Sequence, residues 1–206
     1  MDNTVYINLK YRTDRKYHAE TQFSKLGVNA ICVEAIHKQD GAIGCTLSHI
    51  KCIEMAKQNN WSTVCICEDD ILFTNPDLFK SQLSRFLQSD LKWDVLLLGA
   101  NLAPPFEKNE FYLKVYNAQT TTGYIVAQHY YDTLLKNFKE GLELLIKSLN
   151  KKSYAIDMYW KQLQKDNWYI LYPLSVVQAS TYSDIECKYV NYSKYMLDDK
   201  SNINTK

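Results

Sequence analysis

Short apolar runs alternate with amphipathic helical stretches through the first hundred residues, and this alternation constrains the fold more than any other feature. The run Thr4–Leu9 reads as a buried strand. A helix over 13–26 follows, with Ala19, Phe23 and Leu26 on one face and Gly27 as its stop signal. Residues 30–36 predict a second strand, the turn Gly41-Ala42-Ile43-Gly44 leads into a helix over 45–58, and 63–67 predict a third strand. The Asn75-Pro76 break opens a helix over 77–88, and 93–98 predict a fourth strand. This order predicts an α/β fold with a mostly parallel central sheet and helices on both faces. Such a sheet binds ligands beyond the carboxyl ends of its strands.

Beyond residue 100 the pattern changes. Residues 101–108, with Pro104-Pro105, read as a loop; 110–116 and 123–127 read as strands. Helices are expected over 129–147 and 154–165, with one or two strands in 168–177. With no internal repeat and no clear linker, one domain over 1–196 and a polar tail over 197–206 are expected. A chain of 206 residues is long enough to bury an ordinary core without staples.

A net charge of +1 argues against a dedicated nucleic-acid binder, which carries a basic excess. The six cysteines lie mostly inside apolar runs, with no CxxC pair and no Cys/His zinc spacing. They read as reduced core thiols in a cytoplasmic protein. No secretory signal and no transmembrane segment are expected from the sequence.

Two strand ends carry charge. The third strand runs into Glu68-Asp69-Asp70, and three adjacent carboxylates at the end of a buried strand either hold a hard divalent cation or form a solvated acidic turn. The first strand runs into Asn8-Leu9-Lys10-Tyr11-Arg12-Thr13-Asp14-Arg15-Lys16, where a helix starts. Arg12 and Arg15, three apart, suit phosphate oxygens, or else belong to an ordinary basic surface. Unit charges about 4 Å apart interact by roughly 4 kcal/mol at an effective dielectric near 20. The carboxylates would therefore repel a diphosphate unless a divalent ion lay between them, so the pair of ends predicts a carboxylate–metal–diphosphate–arginine bridge. There is no Walker A and no GxGxxG, which counts against P-loop phosphoryl transfer and dinucleotide redox.

Several motifs, in order, resemble glycosyltransferase family 25, the lipopolysaccharide-type family that also contains the collagen galactosyltransferases. They are Val5-Tyr6-Ile7-Asn8-Leu9 with Arg12 and Asp14-Arg15, Gly41-Ala42-Ile43-Gly44-Cys45-Thr46-Leu47-Ser48-His49, and Glu68-Asp69-Asp70. Thr121-Thr122-Gly123-Tyr124, Ile156-Asp157 and the stretch 173–185 with Gln178 and Ser183-Asp184-Ile185 complete the set. The resemblance implies a GT-A-like nucleotide-sugar fold, Mn2+ (or Mg2+), a UDP-sugar donor and inversion at the anomeric carbon. It makes Asp70 the direct metal ligand and sets Glu68 and Asp69 near the ribose or donor sugar. Asn8, Leu9, Arg12 and Arg15 then line the nucleotide end, with Ser48 and His49 close by.

His49 also shares a helical arc with Cys45, Cys52, Ile53 and Ala56, the pattern of a satisfied core histidine. An inverting transfer needs a general base on the acceptor hydroxyl, and Asp157 is the candidate; the alternative is an acidic residue favouring a first helical turn. Asp184 is either a second metal ligand or a turn residue, and Gln178 is equally ambiguous. Thr121, Thr122 and Gly123 read as sugar contacts or as plain strand residues. The 16 tyrosines offer stacking faces for sugars or packing surface. The expected acceptor is a glycan, a lipid-linked saccharide or a glycoprotein hydroxyl. Two other classes remain open: a non-catalytic nucleotide-sugar or carbohydrate-binding module, and a metal-dependent nucleotidyltransferase. The chain is short for the family, and Thr122-Gly123-Tyr124 departs from its usual pattern.

Overall fold

The computed structural model describes residues 1, 3–183 and 188–198. Strand β1 (Thr4–Asn8), helix α1 (Thr13–Leu26), β2 (Ile31–Glu34), α2 (Gly41–Gln58) and β3 (Thr63–Glu68) come first. Next are β4 (Ile71–Phe73), α3 (Pro76–Leu87), β5 (Val95–Leu102), β6 (Phe106–Lys108), β7 (Tyr112–Val115) and β8 (Ala118–Ala127). Then come α4 (Tyr131–Ser148), α5 (Lys151–Tyr154), α6 (Ile156–Tyr159), β9 (Trp168–Leu171), β10 (Val176–Gln178), β11 (Thr181–Ser183), β12 (Lys188–Val190) and α7 (Ser193–Met196). Among the described residues no helix is long and apolar enough to cross a membrane.

Local chemistry sets the helix ends. Gly27 closes α1 at φ 69°, a left-handed conformation that glycine adopts without a Cβ penalty. Asn75 caps α3 by accepting the Leu78 N–H at 3.1 Å, with Pro76 in the first turn. Asp40 caps α2 through the Ala42 N–H at 2.9 Å. The expected turn at Gly41–Gly44 is therefore the first turn of the helix itself. The expected helix over 154–165 is broken: Ala155, at φ −56° and ψ 148°, separates α5 from α6, and a 3-10 turn over 160–163 follows. The stripe Ile156, Tyr159/Trp160 and Leu163, which suits one helix over 154–165, serves successive short turns equally well. Residues 101–108 are strand at both ends rather than loop throughout, because β5 continues to Leu102 and β6 begins at Phe106.

The main sheet has the order β2-β1-β3-β8-β5-β9-β7-β6. Strand β1 is parallel to β2 and β3, and β5 is parallel to β9. Strand β8 is antiparallel to both β3 and β5, β7 is antiparallel to β9, and β6 is antiparallel to β7. Only β8 and β7 thus run against the common direction of the other strands, so the sheet is mostly parallel. The reversed β8 sits between β3 and β5, where the sequence order alone suggested direct neighbours.

Alternation along the strands feeds two cores. Val5, Ile7, Val64, Ile66, Val95 and Leu97 pack with Ile50 and Ile53 of α2 and Leu134 and Phe138 of α4. Tyr6, Cys65, Cys67, Leu96 and Leu98 face Ala19 and Phe23 of α1 and Phe79 and Phe86 of α3. Both faces of the sheet are therefore covered. Cys65 and Cys67 share one face with sulfurs 3.7 Å apart and, like Cys32, Cys45 and Cys52, remain free thiols.

Gly44 shows why a small residue stands in the Gly41–His49 stretch. A Cβ there would lie 2.5 Å from the Ile36 carbonyl oxygen and 3.3 Å from the Lys38 backbone nitrogen. Both are backbone atoms that cannot swing away, so α2 packs directly on the segment after β2. Gly44→Ala is expected to lower stability by about 1–3 kcal/mol, read by urea unfolding, the usual range for overpacking. An unchanged midpoint would show that this contact is slack.

Candidate active site

Because β1 and β3 are parallel, both end at the same edge of the sheet, and the reversed β8 begins there. A cleft of about 650 Å³ opens at that edge. It is walled by 35–39 after β2, the start of α2, Glu68–Asp70 after β3, Asn101 of β5, 119–121 of β8, 155–157 at α6, and Gln178 of β10. Strand β10 pairs with β4, setting Gln178 opposite Ile71 and bringing a late segment beside the acidic turn.

The two charged strand ends touch directly. The Arg15 guanidinium donates to Asp69 Oδ1 at 2.7 Å and to Asp70 Oδ2 at 3.1 Å, and also reaches the Tyr182 carbonyl at 3.2 Å. Asn8 Nδ2 donates to Asp69 Oδ2 at 2.8 Å and to the Arg12 carbonyl at 3.0 Å, tying the end of β1 to the end of β3. Burial raises the pKa of Asp69 even against the pull of Arg15 and the Asn8 hydrogen bond. Burial, with the charge of Glu68 beside it, pushes Asp70 up to about 7 although Arg15 draws it down. Asp70 is 7% exposed, and its Oδ1 is buried with no hydrogen-bond partner.

Glu68 is held on all sides. Its Oε1 accepts the Thr121 hydroxyl at 2.5 Å and the Cys45 thiol at 3.9 Å, and its Oε2 accepts Gln178 Nε2 at 3.3 Å. His49 Nε2 lies 3.6 Å from Oε1, an ion-pair distance too long for a hydrogen bond. Burial works to raise this carboxyl, but His49, Thr121 and Arg15 outweigh it and hold the group below the usual glutamate range. His49 is 1% exposed, bonded through Nδ1 to the Tyr124 hydroxyl at 2.9 Å and stacked on that ring, while Nε2 is unpartnered. It is buried as a core histidine would be, yet only one of its nitrogens is satisfied. Ser48 is fully used: it accepts the Ile36 N–H at 2.8 Å and donates to the Gly44 carbonyl at 2.7 Å.

Across the cleft, Asp157 stands in the first turn of α6 and its Oδ2 accepts the Thr120 N–H at 3.1 Å. Burial raises its pKa, opposed by that hydrogen bond and reinforced by the charge of Glu68. Thr120 has φ 83°, a left-handed conformation rare for a β-branched residue, and its hydroxyl meets that of Thr122 at 3.0 Å. Lys161 donates to Gln119 Oε1 at 2.7 Å, bracing the same wall.

Of the expected site residues, Leu9, Arg15, Ser48, His49, Glu68, Asp69, Asp70, Asp157 and Gln178 line the cleft. Asn8, Arg12, Thr122 and Gly123 do not. Asn8 acts on Asp69 from behind, and Arg12 bonds Asp14 at 3.0 Å and the Tyr182 carbonyl at 3.4 Å. Thr122 is wholly buried, and a Cβ on Gly123 would lie 2.8 Å from Ile71 Cδ1, so Gly123 serves packing. Asp184 lies outside the described residues. Sequence reasoning missed Asn101, whose buried Oδ1 has no partner, together with Gln119 and Thr120. Asn101 falls where a loop was expected, and no residue pattern announces the backbone of Thr120.

The unpartnered Asp70 oxygen, flanked by two further carboxylates, is a hard oxygen donor set suited to a divalent cation of the Mn2+ or Mg2+ type. The model of the family described as "Glycosyltransferase family 25 (LPS biosynthesis protein)" matches residues 39–160, more than half of the chain. The chain belongs to glycosyltransferase family 25. The matched span holds Gly41–His49, Glu68–Asp70, Thr121–Tyr124 and Asp157, and leaves out Asn8–Arg15 and Gln178. The fold is similar to that of a glycosyltransferase involved in glycosylation of the major capsid of PBCV-1. That protein is 13% identical, with 95% of this chain and 88% of that chain covered and a TM-score of 0.51. The glycosyltransferase GlyE of Streptococcus pneumoniae TIGR4 is 10% identical over 83% of this chain and 45% of that chain, with a TM-score of 0.48. No curated protein sequence matches the chain. The α/β fold, with its mostly parallel central sheet, is GT-A-like.

Proposed function

We propose that this family 25 glycosyltransferase moves a hexose from a UDP-sugar to a hydroxyl of a glycan, lipid-linked saccharide or glycoprotein, with inversion and with Mn2+ or Mg2+ as cofactor. The observation that carries this reading is the buried, unpartnered Asp70 Oδ1 on the cleft wall, next to Glu68 and Asp69. Asp70 would hold the cation through its free Oδ1, and a bound cation would supply charge neutralisation for the departing diphosphate.

Arg15 adds a fixed positive charge at the nucleotide end, where Leu9 also lies. Asn8 positions Asp69 rather than touching the donor. Asn101, Gln119, Thr120 and Thr121 form the polar wall available to sugar hydroxyls. Asp157 takes the proton of the acceptor hydroxyl as the acceptor oxygen bonds to the anomeric carbon and the bond from that carbon to the UDP oxygen breaks. Its raised pKa suits a base, and the Thr120 N–H fixes the carboxylate plane. The cysteines among the described residues are all free thiols, which supports a reducing, cytoplasmic setting.

The test is transfer or hydrolysis across a panel of UDP-sugars, with and without manganese, in the wild type and in Asp70→Asn. Asp70→Asn is expected to lose about 100-fold or more in kcat, the scale of one lost electrostatic stabiliser. Full activity of that variant, or equal turnover in excess chelator, would overturn the metal role.

A further inference from the structure

A second, chemically different set of donors lines the same cleft. Cys45 and His49 are four apart on α2 and therefore share a helix face, and Glu68 meets them from the end of β3. One atom from each, Sγ, an imidazole nitrogen and a carboxylate oxygen, lie within 4.8 Å of one another. The Cys45 sulfur is 3.9 Å and His49 Nε2 3.6 Å from Glu68 Oε1. For tetrahedral zinc, with bonds of about 2.0–2.3 Å, the ligand-to-ligand distances come to roughly 3.3–3.6 Å. The two measured edges need to close by only a few tenths of an ångström, within the reach of side-chain rotation.

Two further observations point to a ligand here. His49 Nε2 is buried, unpartnered and faces the Glu68 oxygen, and a buried ring nitrogen left without a partner is costly. The outer partners of a metal-binding histidine and carboxylate are also already in place. The Tyr124 hydroxyl holds His49 Nδ1 at 2.9 Å, and Thr121 and Gln178 hold the two oxygens of Glu68.

We propose that Cys45, His49 and Glu68 form a site for a thiophilic divalent cation of the zinc class, distinct from the hard-cation position at Asp70, and that filling it blocks the enzyme. Softness separates the two sites: thiolate and imidazole favour zinc, whereas a carboxylate set favours magnesium or manganese. On binding, the Cys45 S–H proton leaves to solvent and a sulfur–metal bond takes its place. All three residues line the cleft, so an ion held by them would be reached from it. Inhibition follows because the ion engages Glu68, which contacts Thr121 and Gln178 of the proposed donor pocket; this clause rests on the function proposed above, whereas the site itself does not.

The deciding experiment titrates Co2+ into chelator-treated full-length protein with no donor present and follows its absorption. A sulfur-to-cobalt charge-transfer band saturating at one equivalent is expected in the wild type and in Cys32→Ser, displaced by Zn2+, and lost in Cys45→Ser. Tyr124→Phe, which keeps all three ligands, is expected to weaken zinc affinity by about 10–100-fold. Absence of the band in the wild type, or its persistence in Cys45→Ser, overturns the site. Manganese-dependent transfer is measured separately on the same samples, so absence of the cobalt band in the wild type with transfer intact rejects the site alone. A normal cobalt band with transfer unaffected by zinc rejects only the inhibition.

Discussion

Asp157→Asn is expected to lower kcat by about 10²–10⁴-fold, the contribution of a positioned general base, while raising Tm. The two effects share one cause. Asp157 is half-buried on the cleft wall, and partial desolvation and the charge of Glu68 both disfavour its ionised form in the folded protein. Its folded-state pKa therefore lies above its unfolded value, so the folded state binds the proton more tightly. Below the unfolded pKa both states are protonated and the residue has no effect on stability. As the pH rises through the unfolded and then the folded pKa, the ionised carboxylate increasingly penalises the folded state, and above the folded pKa the penalty is complete. Asparagine carries no such penalty and still offers an oxygen to the Thr120 N–H. The Tm advantage of Asp157→Asn over the wild type should therefore be absent in acid and open as the pH rises to neutrality. The wild-type kcat profile should show an acid limb above the usual aspartate range, and the variant should lack it. A folded Asp157→Asn with normal kcat would remove the proposed base, and an unchanged Tm would remove the desolvation that makes it one.

Much of this architecture was legible in the residues, and the gaps have physical reasons. Helix α1 and its glycine stop follow from local propensity and capping, which act within one turn. The acidic end of β3 was legible because three adjacent carboxylates after an apolar run are costly wherever they are placed. Strand partners are another matter. An apolar run such as 123–127 says that a strand exists, not that it runs backwards between β3 and β5, which is why Gln119 and Thr120, beside the expected Thr121, were not foreseen as part of the polar wall. The pairing of β4 with β10 joins segments about a hundred residues apart and leaves no local trace. His49 is the instructive intermediate. Its helical spacing foretold burial, but only the three-dimensional arrangement shows one nitrogen bonded and the other unpartnered against Glu68. The cation cluster after β1 predicts either a phosphate site bridged to the acidic turn or an ordinary basic surface, and no local pattern foretells that Arg15 contacts two of those carboxylates directly.

That direct contact gives Arg15→Met the largest expected effect on stability. The Arg15, Asp69 and Asp70 side chains are 15%, 7% and 9% exposed, so three charges share a largely dry pocket. Removing one partner of a buried ion pair costs about 3–5 kcal/mol, because the surviving charge keeps its desolvation penalty without its attraction. Here two carboxylates are stranded at once, with Asn8 as the remaining hydrogen-bond donor to Asp69. At roughly 2–4 °C per kcal/mol for a protein of this size, the Tm should fall by about 6–20 °C. Arg15→Lys should lose less, yet still measurably, because an ammonium lacks the planar fork that reaches both carboxylates together. Divalent cations provide the discriminating measurement. With Arg15 absent, the acidic turn is more negative, so manganese should raise the Tm of Arg15→Met by more than it raises that of the wild type. A manganese shift no larger than in the wild type would mean that the ion does not feel these carboxylates, and would remove Asp70 and its neighbours as the place where it binds.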